Sequence, residues 1–209
     1  EPPEIWTVRT VAGGSFVLDT PDLPVAVWGE AEEVAWAHGE ALMLVGPSGV
    51  GKTTIAIQLV RARLGLGPGQ LFGLPIRPGD RRLLYLAMDR PSQISRAMAR
   101  LFTEQDRQLL DERLVIWKGP PPHDLAKRPE ILAAMCEMAG ADTVVVDSLK
   151  DAALKLSDDE TGSGYNRARQ RALVEGVEVI ELHHQRKANS ENKKPSKLDD
   201  VYGSAWLTG

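Results

Sequence analysis

The sequence is poor in cysteine, with Cys136 as the single one among 209 residues. One cysteine cannot close a disulfide within the chain, so a disulfide-stapled fold is excluded and a reducing, cytoplasmic compartment is expected. Cys136 stands inside an apolar run. We interpret it as a packing residue of a helix and not as a nucleophile or redox group.

Long hydrophobic runs and a strong net charge are also lacking. No apolar run approaches the roughly 18 residues that span a bilayer, and no signal peptide is visible, so no membrane partner is expected. The net charge is −4, with 26% charged residues. Bulk electrostatics therefore does not favour polyanions, and any nucleic-acid contact has to come from a local basic patch.

The length suits one domain, with a second one not expected. Residues 1–40 form an N-terminal segment in which prolines and glycines interrupt short apolar pieces, with a strand expected at Val25–Trp28 and a helix at Glu30–Ala37. Residues 41–209 are predicted to be the core. Because the chain begins with Glu1 and stops at Gly209, we interpret it as a fragment or a processed piece.

Beyond residue 40, short apolar runs alternate with helix-like stretches. The predicted strands are Ala41–Val45, Leu83–Met88, Leu114–Trp117, Thr143–Val146 and Val177–Leu182. The predicted helices are Lys52–Arg63, Pro91–Phe102, Pro129–Ala139 and Tyr165–Glu175. Apolar strands alternating with helices predict an α/β fold, a mostly parallel sheet covered on both faces. Gly65–Asp80 and Arg186–Asp200 read as loops.

The strongest motif is GPSGVGKT at residues 46–53, which follows a predicted strand and opens a predicted helix. This is the context that a phosphate-binding loop requires. Glycines permit backbone angles that let successive amides face a phosphate, and the helix N-terminus favours the same anion. The predicted nucleotide-binding residues are Gly46, Pro47, Ser48, Gly49, Val50, Gly51, Lys52, Thr53 and Thr54. Lys52 is expected on the β and γ phosphates of ATP, and Thr53 on Mg²⁺.

An acidic residue closes the fourth predicted strand. In TVVVDS, Asp147 follows three valines and can hold Mg²⁺ through water while Thr53 holds it directly. Hydrolysis also needs a group that orients the attacking water, and Asp89 follows the second strand at the same sheet edge. Asp89 is equally explained as a helix N-cap. Glu40 lies at the wrong end of its strand, and Glu181 lies within one.

The fifth strand ends in a histidine pair followed by cations. His183 and His184 alternate across the strand, so only one of them easily faces the nucleotide. We favour His184 as a γ-phosphate sensor over a purely structural role. Arg186 and Lys187 follow, where either can act as an arginine-finger-type residue. Residues 186–197 hold five cations against one acid, a net charge of +4, which suits a phosphate backbone or an ordinary solvated loop.

The ordered motifs resemble the RecA-like ATPase core of hexameric replicative helicases of the DnaB and RepA type, in the AAA-family branch of phages, plasmids and actinobacteria. The stretches that carry the resemblance lie at residues 46–54, 84–101, 143–173, 179–187 and 199–209, the last reading DDVYGSAWLTG. Together they span residues 41–209, from the first predicted strand of the core to the end of the chain.

The resemblance implies a ring, usually of six subunits, with Mg²⁺-ATP between neighbours and single-stranded DNA in a central channel. It implies that two loops face the channel, which places Lys150, Lys193, Lys194 and Lys197 as DNA-binding residues. Relatives carry a glutamate where Met88 and Asp89 stand here. Their sheet also continues after the glycine-serine segment, so the resemblance implies that the core 41–209 is truncated at its C-terminal end. Two alternatives stay open: a RecA-like ATPase that does not unwind DNA, and a small-molecule kinase with Arg77, Arg81 and Arg82 as its lid.

Overall fold

The computed structural model describes residues 10–184. Its strands are β1 (Ala26–Glu30), β2 (Glu33–Ala37), β3 (Ala41–Gly46), β4 (Gln70–Leu71), β5 (Leu74–Pro75), β6 (Arg82–Ala87), β7 (Leu114–Lys118), β8 (Ala141–Asp147) and β9 (Glu178–His184). Its helices are α1 (Gly13–Leu18), α2 (Lys52–Arg63), α3 (Pro91–Met98), α4 (Arg107–Arg113), α5 (Glu130–Ala139), α6 (Leu149–Ala152) and α7 (Asp159–Val174), with a 3₁₀ turn at Glu104–Asp106. Within residues 10–184, no helix is both long and apolar enough to cross a membrane.

Five strands form one sheet in the order β3-β9-β8-β6-β7, and every neighbouring pair is parallel. They correspond to the five apolar runs predicted from the sequence, so the α/β prediction is confirmed. The central strands β6, β8 and β9 are almost wholly buried, because helices cover both faces of the sheet.

Two hydrophobic cores lie on the two faces. On one face, α2, α3 and the β1–β2 hairpin pack against the sheet, with Ile180 and Tyr85 among the strand residues of this core. On the other face, α5, α6 and α7 pack against Val144 and Val146. Side chains at successive strand positions therefore alternate between two helical layers. We name these layers the α2/α3 face and the α5/α7 face.

The helix predicted at Glu30–Ala37 is wrong. Residues 33–37 form β2, which pairs antiparallel with β1. The burial of β2 alternates at first, with Glu33 and Ala35 exposed and Val34 and Trp36 turned inward, and this period of two belongs to a strand. The Trp36 indole then donates to the carbonyl of Glu40, which ties the hairpin to the start of β3.

Other boundaries differ by less. Helix α2 has the predicted bounds, whereas α3 ends at Met98, four residues before the predicted end. Helix α7 begins at Asp159, six residues before the predicted start, because an acidic first turn suits a helix N-terminus. The predicted loop Gly65–Asp80 contains the short hairpin β4–β5.

Candidate nucleotide-binding site

A pocket of about 370 Å³ opens at the carboxyl edge of the sheet. That volume suits a small ligand. Its lining comes from the loop after β3 and from the ends of β6, β8 and β9. The lining residues are Ser48, Gly49, Gly51, Lys52, Thr53, Thr54, Asp89, Gln93, Ile94, Ala97, Asp147, Ser148, Lys150, Leu182 and His184. Parallel α/β sheets bind ligands at this edge.

The loop between β3 and α2 depends on two glycines with left-handed backbone angles. Gly49 has φ +83° and Gly51, the N-cap of α2, has φ +98°. Such angles are costly for residues that carry a Cβ. Gly46 differs, because its φ is not positive, and a Cβ there would lie 3.1 Å from a methyl group of Val50. A Cβ at Gly46 would therefore press on the exposed Val50 side chain, which would have to shift by a few tenths of an ångström.

Helix α2 begins at Lys52, directly after this turn. The first amides of a helix have no partner within the helix and favour an anion. The Lys52 ammonium donates to the carbonyls of Gly46 (2.7 Å) and Pro47 (2.8 Å). Burial lowers the pKa of Lys52, while the charge of Asp147 opposes that shift. The cation thus lies across the mouth of the loop, beside the end of β8.

Asp147 is the last residue of β8 and is half-buried. Its Oδ2 accepts a 2.7 Å hydrogen bond from the hydroxyl of Tyr85 on the adjacent strand β6. The pKa of Asp147 is raised, mainly by burial and further by the charges of Asp151 and Asp89. The Tyr85 hydrogen bond and the charge of Lys52 oppose this rise. The structure therefore brings this carboxylate and Lys52 to one pocket.

Asp89 lies two residues beyond β6 and lines the same pocket. The N-cap of α3 is Arg90, in a left-handed conformation with φ +50°, and it makes no side-chain cap. The helix-cap interpretation of Asp89 is therefore wrong. Its carboxylate pairs instead with the Lys150 ammonium at 3.1 Å and with the Arg90 guanidinium at 3.7 Å. This geometry keeps Asp89 available as the water-orienting acid.

Lys150 lies in the first turn of α6, directly after the end of β8. It lines the pocket and pairs with Asp89, and Asp151 is 3.8 Å from its ammonium. The resemblance implied a channel-facing loop for Lys150, whereas the structure places this residue on α6 at the wall of the pocket.

The two histidines of β9 separate as expected. His183 is fully buried, whereas His184 lines the pocket and pairs in register with Gly46. Burial lowers the pKa of His184, the charges of Lys52 and Lys150 lower it further, and Asp151 and Asp89 oppose the shift. The lowered pKa favours the neutral imidazole, which can donate or accept a hydrogen bond.

Some predicted residues do not reach the pocket. Within the loop, three predicted residues do not line it: Gly46, Pro47 and Val50, of which Val50 is 58% exposed. Glu40 precedes β3 at the opposite edge of the sheet. Glu181 is fully buried on the α5/α7 face, where Arg169 donates to both of its oxygens, at 2.9 and 2.8 Å.

Five predicted site residues lie outside the described residues. These are the finger or sensor residues Arg186 and Lys187 and the DNA-binding residues Lys193, Lys194 and Lys197. The three arginines proposed as a kinase lid are elsewhere: Arg82 begins β6, at the sheet edge opposite the pocket, and Arg77 and Arg81 precede it. They cannot close over this pocket, which argues against the kinase alternative.

The pocket fits a hard divalent cation held partly by a nucleotide. Among residues 10–184, no group of three or more His, Cys, Asp or Glu side chains is arranged to hold a metal alone. Mg²⁺ does not need such a group, since it binds through one or two carboxylates together with phosphates and waters. The Thr53 hydroxyl and the Asp147 carboxylate line one pocket, where the hydroxyl can bind the ion directly and the carboxylate can hold it through water.

Sequence reasoning missed Tyr85, Gln93 and Ser148. Gln93 lines the pocket from α3, and Ser148 lines it from the turn after β8, where its hydroxyl donates to Asp151 at 2.8 Å. Tyr85 is fully buried in the core, yet its hydroxyl reaches the site. The available signal was one hydroxyl-bearing residue within the apolar strand LLYLAM.

Comparison with known families agrees with this geometry. Residues 33–190, well over half of the chain, match the family described as AAA domain. No curated protein matches the chain. The five-stranded parallel sheet with helices on both faces and this match confirm the predicted RecA-like α/β P-loop fold. The chain belongs to the AAA domain family of P-loop ATPases.

Proposed function

We propose that this ATPase is the motor core of a DNA helicase, of the kind that serves phage or mobile-element replication. The proposed substrate is Mg²⁺-ATP, the proposed track is single-stranded DNA, and the proposed assembly is a homo-oligomeric ring, six subunits being the expectation from the resemblance. The observation that carries the proposal is His184: it lines the nucleotide pocket, and the chain continues from it directly into a basic stretch.

The proposed roles in ATP binding follow the geometry of the pocket. The loop 46–54 wraps the phosphates, with Lys52 on the β and γ phosphates. Thr53 and Asp147 would hold Mg²⁺, which supplies charge neutralisation on the β and γ oxygens when bound. Asp89 orients the attacking water, and the neutral imidazole of His184 hydrogen-bonds the γ phosphate and so registers whether it is present.

The proposed coupling to DNA runs along β9 and α6. After His184, the residues 186–197 carry five cations and one acid. A γ phosphate that shifts His184 would shift the start of this basic stretch. Lys150 offers a second route, since it is half-exposed and already paired with Asp89. Arg186 and Lys187 are proposed to reach the phosphates of a neighbouring subunit.

The test is a set of three measurements on the full chain and on Lys52→Ala. ATP hydrolysis is measured with and without single-stranded DNA, strand displacement on a forked duplex, and particle mass by light scattering. The proposal expects severalfold stimulation by DNA, displacement that depends on ATP and on Lys52, and a ring-sized particle. DNA-stimulated hydrolysis without displacement would favour a loader or regulator, and hydrolysis indifferent to DNA would refute the motor.

The basic stretch allows a sharper DNA measurement. Replacing Lys193, Lys194 and Lys197 with glutamine removes three cations. If each contacts one phosphate, the slope of log affinity against log salt becomes shallower by about 2 for a single strand. Replacement of three exposed lysines or arginines outside this stretch serves as the control, and an unchanged slope in the first variant would exclude these lysines from DNA contact.

A further inference from the structure

We infer that Tyr85 is a positioning residue for the magnesium carboxylate: its hydroxyl holds Oδ2 of Asp147 and leaves Oδ1 as the oxygen that faces the ion's hydration shell. The inference rests on the proposed function, since it assumes that Asp147 serves Mg²⁺-nucleotide. It assigns to a core tyrosine a task in metal binding that neither its sequence context nor the family match indicates.

The sheet register brings the two side chains together. Tyr85 on β6 is directly opposite Val145 on β8, and Asp147 lies two residues farther along β8. Positions 145 and 147 project to the same side of the sheet, which is the α2/α3 face where the Tyr85 ring packs. The ring therefore points along the sheet toward its carboxyl edge, and its hydroxyl ends 2.7 Å from Oδ2.

Burial makes this donor rigid. The Tyr85 side chain is fully buried in the core beneath α2. A ring clamped by packing holds its hydroxyl in one place without any further loss of conformational entropy. Within residues 10–184, Oδ1 of Asp147 has no hydrogen-bond donor of its own. One carboxylate oxygen is thus held by the core, while the other has no donor among residues 10–184.

The electrostatics agrees with this arrangement. Burial raises the pKa of Tyr85 well above its ordinary value, and the charge of Asp147 raises it further, so the hydroxyl keeps its proton and remains a donor.

The coordination geometry of Mg²⁺ makes the orientation of such a carboxylate important. It requires near-octahedral geometry at about 2.0–2.1 Å and keeps several waters, so a carboxylate that rotates freely would hold those waters poorly. Groups that hydrogen-bond a metal's protein ligands typically change metal affinity by about 10- to 100-fold when they are removed. An effect of about tenfold is the expectation for Tyr85.

The structure also offers a matched control. Tyr165 on α7 is fully buried too, and its hydroxyl donates to Oε1 of Glu181 at 2.8 Å. This is the same type of hydrogen bond, from a buried tyrosine to a strand carboxylate in the same sheet. Glu181 lies on the α5/α7 face and does not line the pocket. Tyr165→Phe therefore reproduces the loss of a buried hydrogen bond without touching the site.

The experiment measures how strongly Mg²⁺ tightens nucleotide binding. A fluorescent ADP analogue is titrated into the full chain in excess Mg²⁺ and again in EDTA, and the ratio of the two dissociation constants reports the metal's contribution. Tyr85→Phe, which keeps the ring, is expected to reduce this ratio about tenfold with the EDTA affinity unchanged. Tyr165→Phe is expected to leave the ratio within twofold of the wild type.

Kinetics supplies a second readout. In Tyr85→Phe, the Mg²⁺ concentration that gives half-maximal hydrolysis is expected to rise about tenfold, with kcat at saturating Mg²⁺ within about threefold. A variant that simply lost folded protein would lower kcat and leave the Mg²⁺ requirement unchanged. Adding Tyr85→Phe to Asp147→Asn is expected to cause no further loss in the binding ratio, since the carboxylate that Tyr85 positions is already gone.

The experiment distinguishes a failure of the inference about Tyr85 from a failure of the proposed function. If the wild type shows a metal-dependent ratio and Tyr85→Phe shows the same one, the inference about Tyr85 is overturned while the ATP site stands. An equal drop in Tyr85→Phe and Tyr165→Phe would also overturn it, because lost stability would then explain both. A wild type that binds nucleotide equally in Mg²⁺ and EDTA would overturn the proposed magnesium role of Asp147, and the inference with it.

Discussion

Replacing Asp89 by asparagine tests the assignment of the water-orienting acid. The structure places Asp89 in the pocket, paired with Lys150 at 3.1 Å. A positioned general base contributes about 10²- to 10⁴-fold to a rate. Asp89→Asn keeps the size of the side chain and removes its basicity, so kcat should fall at least about 100-fold. Nucleotide affinity should change less than about threefold, because Lys52 and the loop stay intact.

The ion pair itself cannot account for a loss of that size. The Lys150 and Asp89 side chains are 45% and 42% exposed. Such a pair is worth roughly 0.2–1 kcal/mol, which corresponds to at most about a fivefold change. Lys150→Met should therefore alter DNA-independent hydrolysis by no more than about fivefold. The two variants separate a chemical role of Asp89 from a role in local structure.

The assay is steady-state phosphate release at saturating Mg²⁺-ATP, with affinity measured separately by fluorescence. Asp111→Asn, an exposed carboxylate on α4 outside the pocket, is the control and should behave as wild type. Hydrolysis by Asp89→Asn within threefold of wild type would refute the reasoning. Another group of the pocket would then have to orient the water.

Three further predictions follow from buried charge, titration and backbone angle. Arg169→Met leaves the fully buried carboxylate of Glu181 without its cation. The free energy of unfolding, measured by urea denaturation, should fall by about 3–5 kcal/mol. A loss under about 1 kcal/mol would contradict this prediction. Burial and nearby lysines lower the pKa of His184 below 6.5 in the folded state. The unfolded state therefore binds more protons as the pH falls, and acid lowers the free energy of unfolding. Between pH 7 and pH 5, this free energy should fall less in His184→Asn than in the wild type. In Gly51→Ala, the added methyl group would meet no atom within 4 Å, but the alanine would have to adopt φ +98°. Thermal or urea unfolding should therefore show a free energy of unfolding lower by about 1–2 kcal/mol. An unchanged stability would argue against the left-handed turn.

The parts of the site that a local pattern encodes were predictable. The strand–loop–helix around residues 46–63 is contiguous, and α2 has the predicted bounds. The acidic end of β8 and the alternation of His183 and His184 follow from strand periodicity alone. Each of these features depends on residues that are close in sequence. Composition and spacing were therefore sufficient to predict them.

The other contacts of the site depend on the order of the strands in the sheet. The spacing of motifs along the sequence does not reveal that order. Tyr85 and Asp147 are 62 residues apart and meet because β6 lies beside β8. Lys150 and Asp89 are 61 residues apart and meet at the same edge. Residues 30–37 were assigned to a helix because a short apolar stretch suits either period. Pairing with β1 decides in favour of the strand.

The most direct test of the central claim is equilibrium binding of ATP in Mg²⁺ to the full chain and to Lys52→Ala. Removing a cation that contacts phosphates should weaken binding by about 10- to 100-fold, on the scale of hydrogen bonds to charged groups. Lys118→Ala, an exposed lysine at the end of β7 outside the pocket, should bind as the wild type does. Equal affinity in the wild type and Lys52→Ala, or no saturable binding by the wild type, would contradict the assignment of residues 46–54 as the phosphate-binding loop.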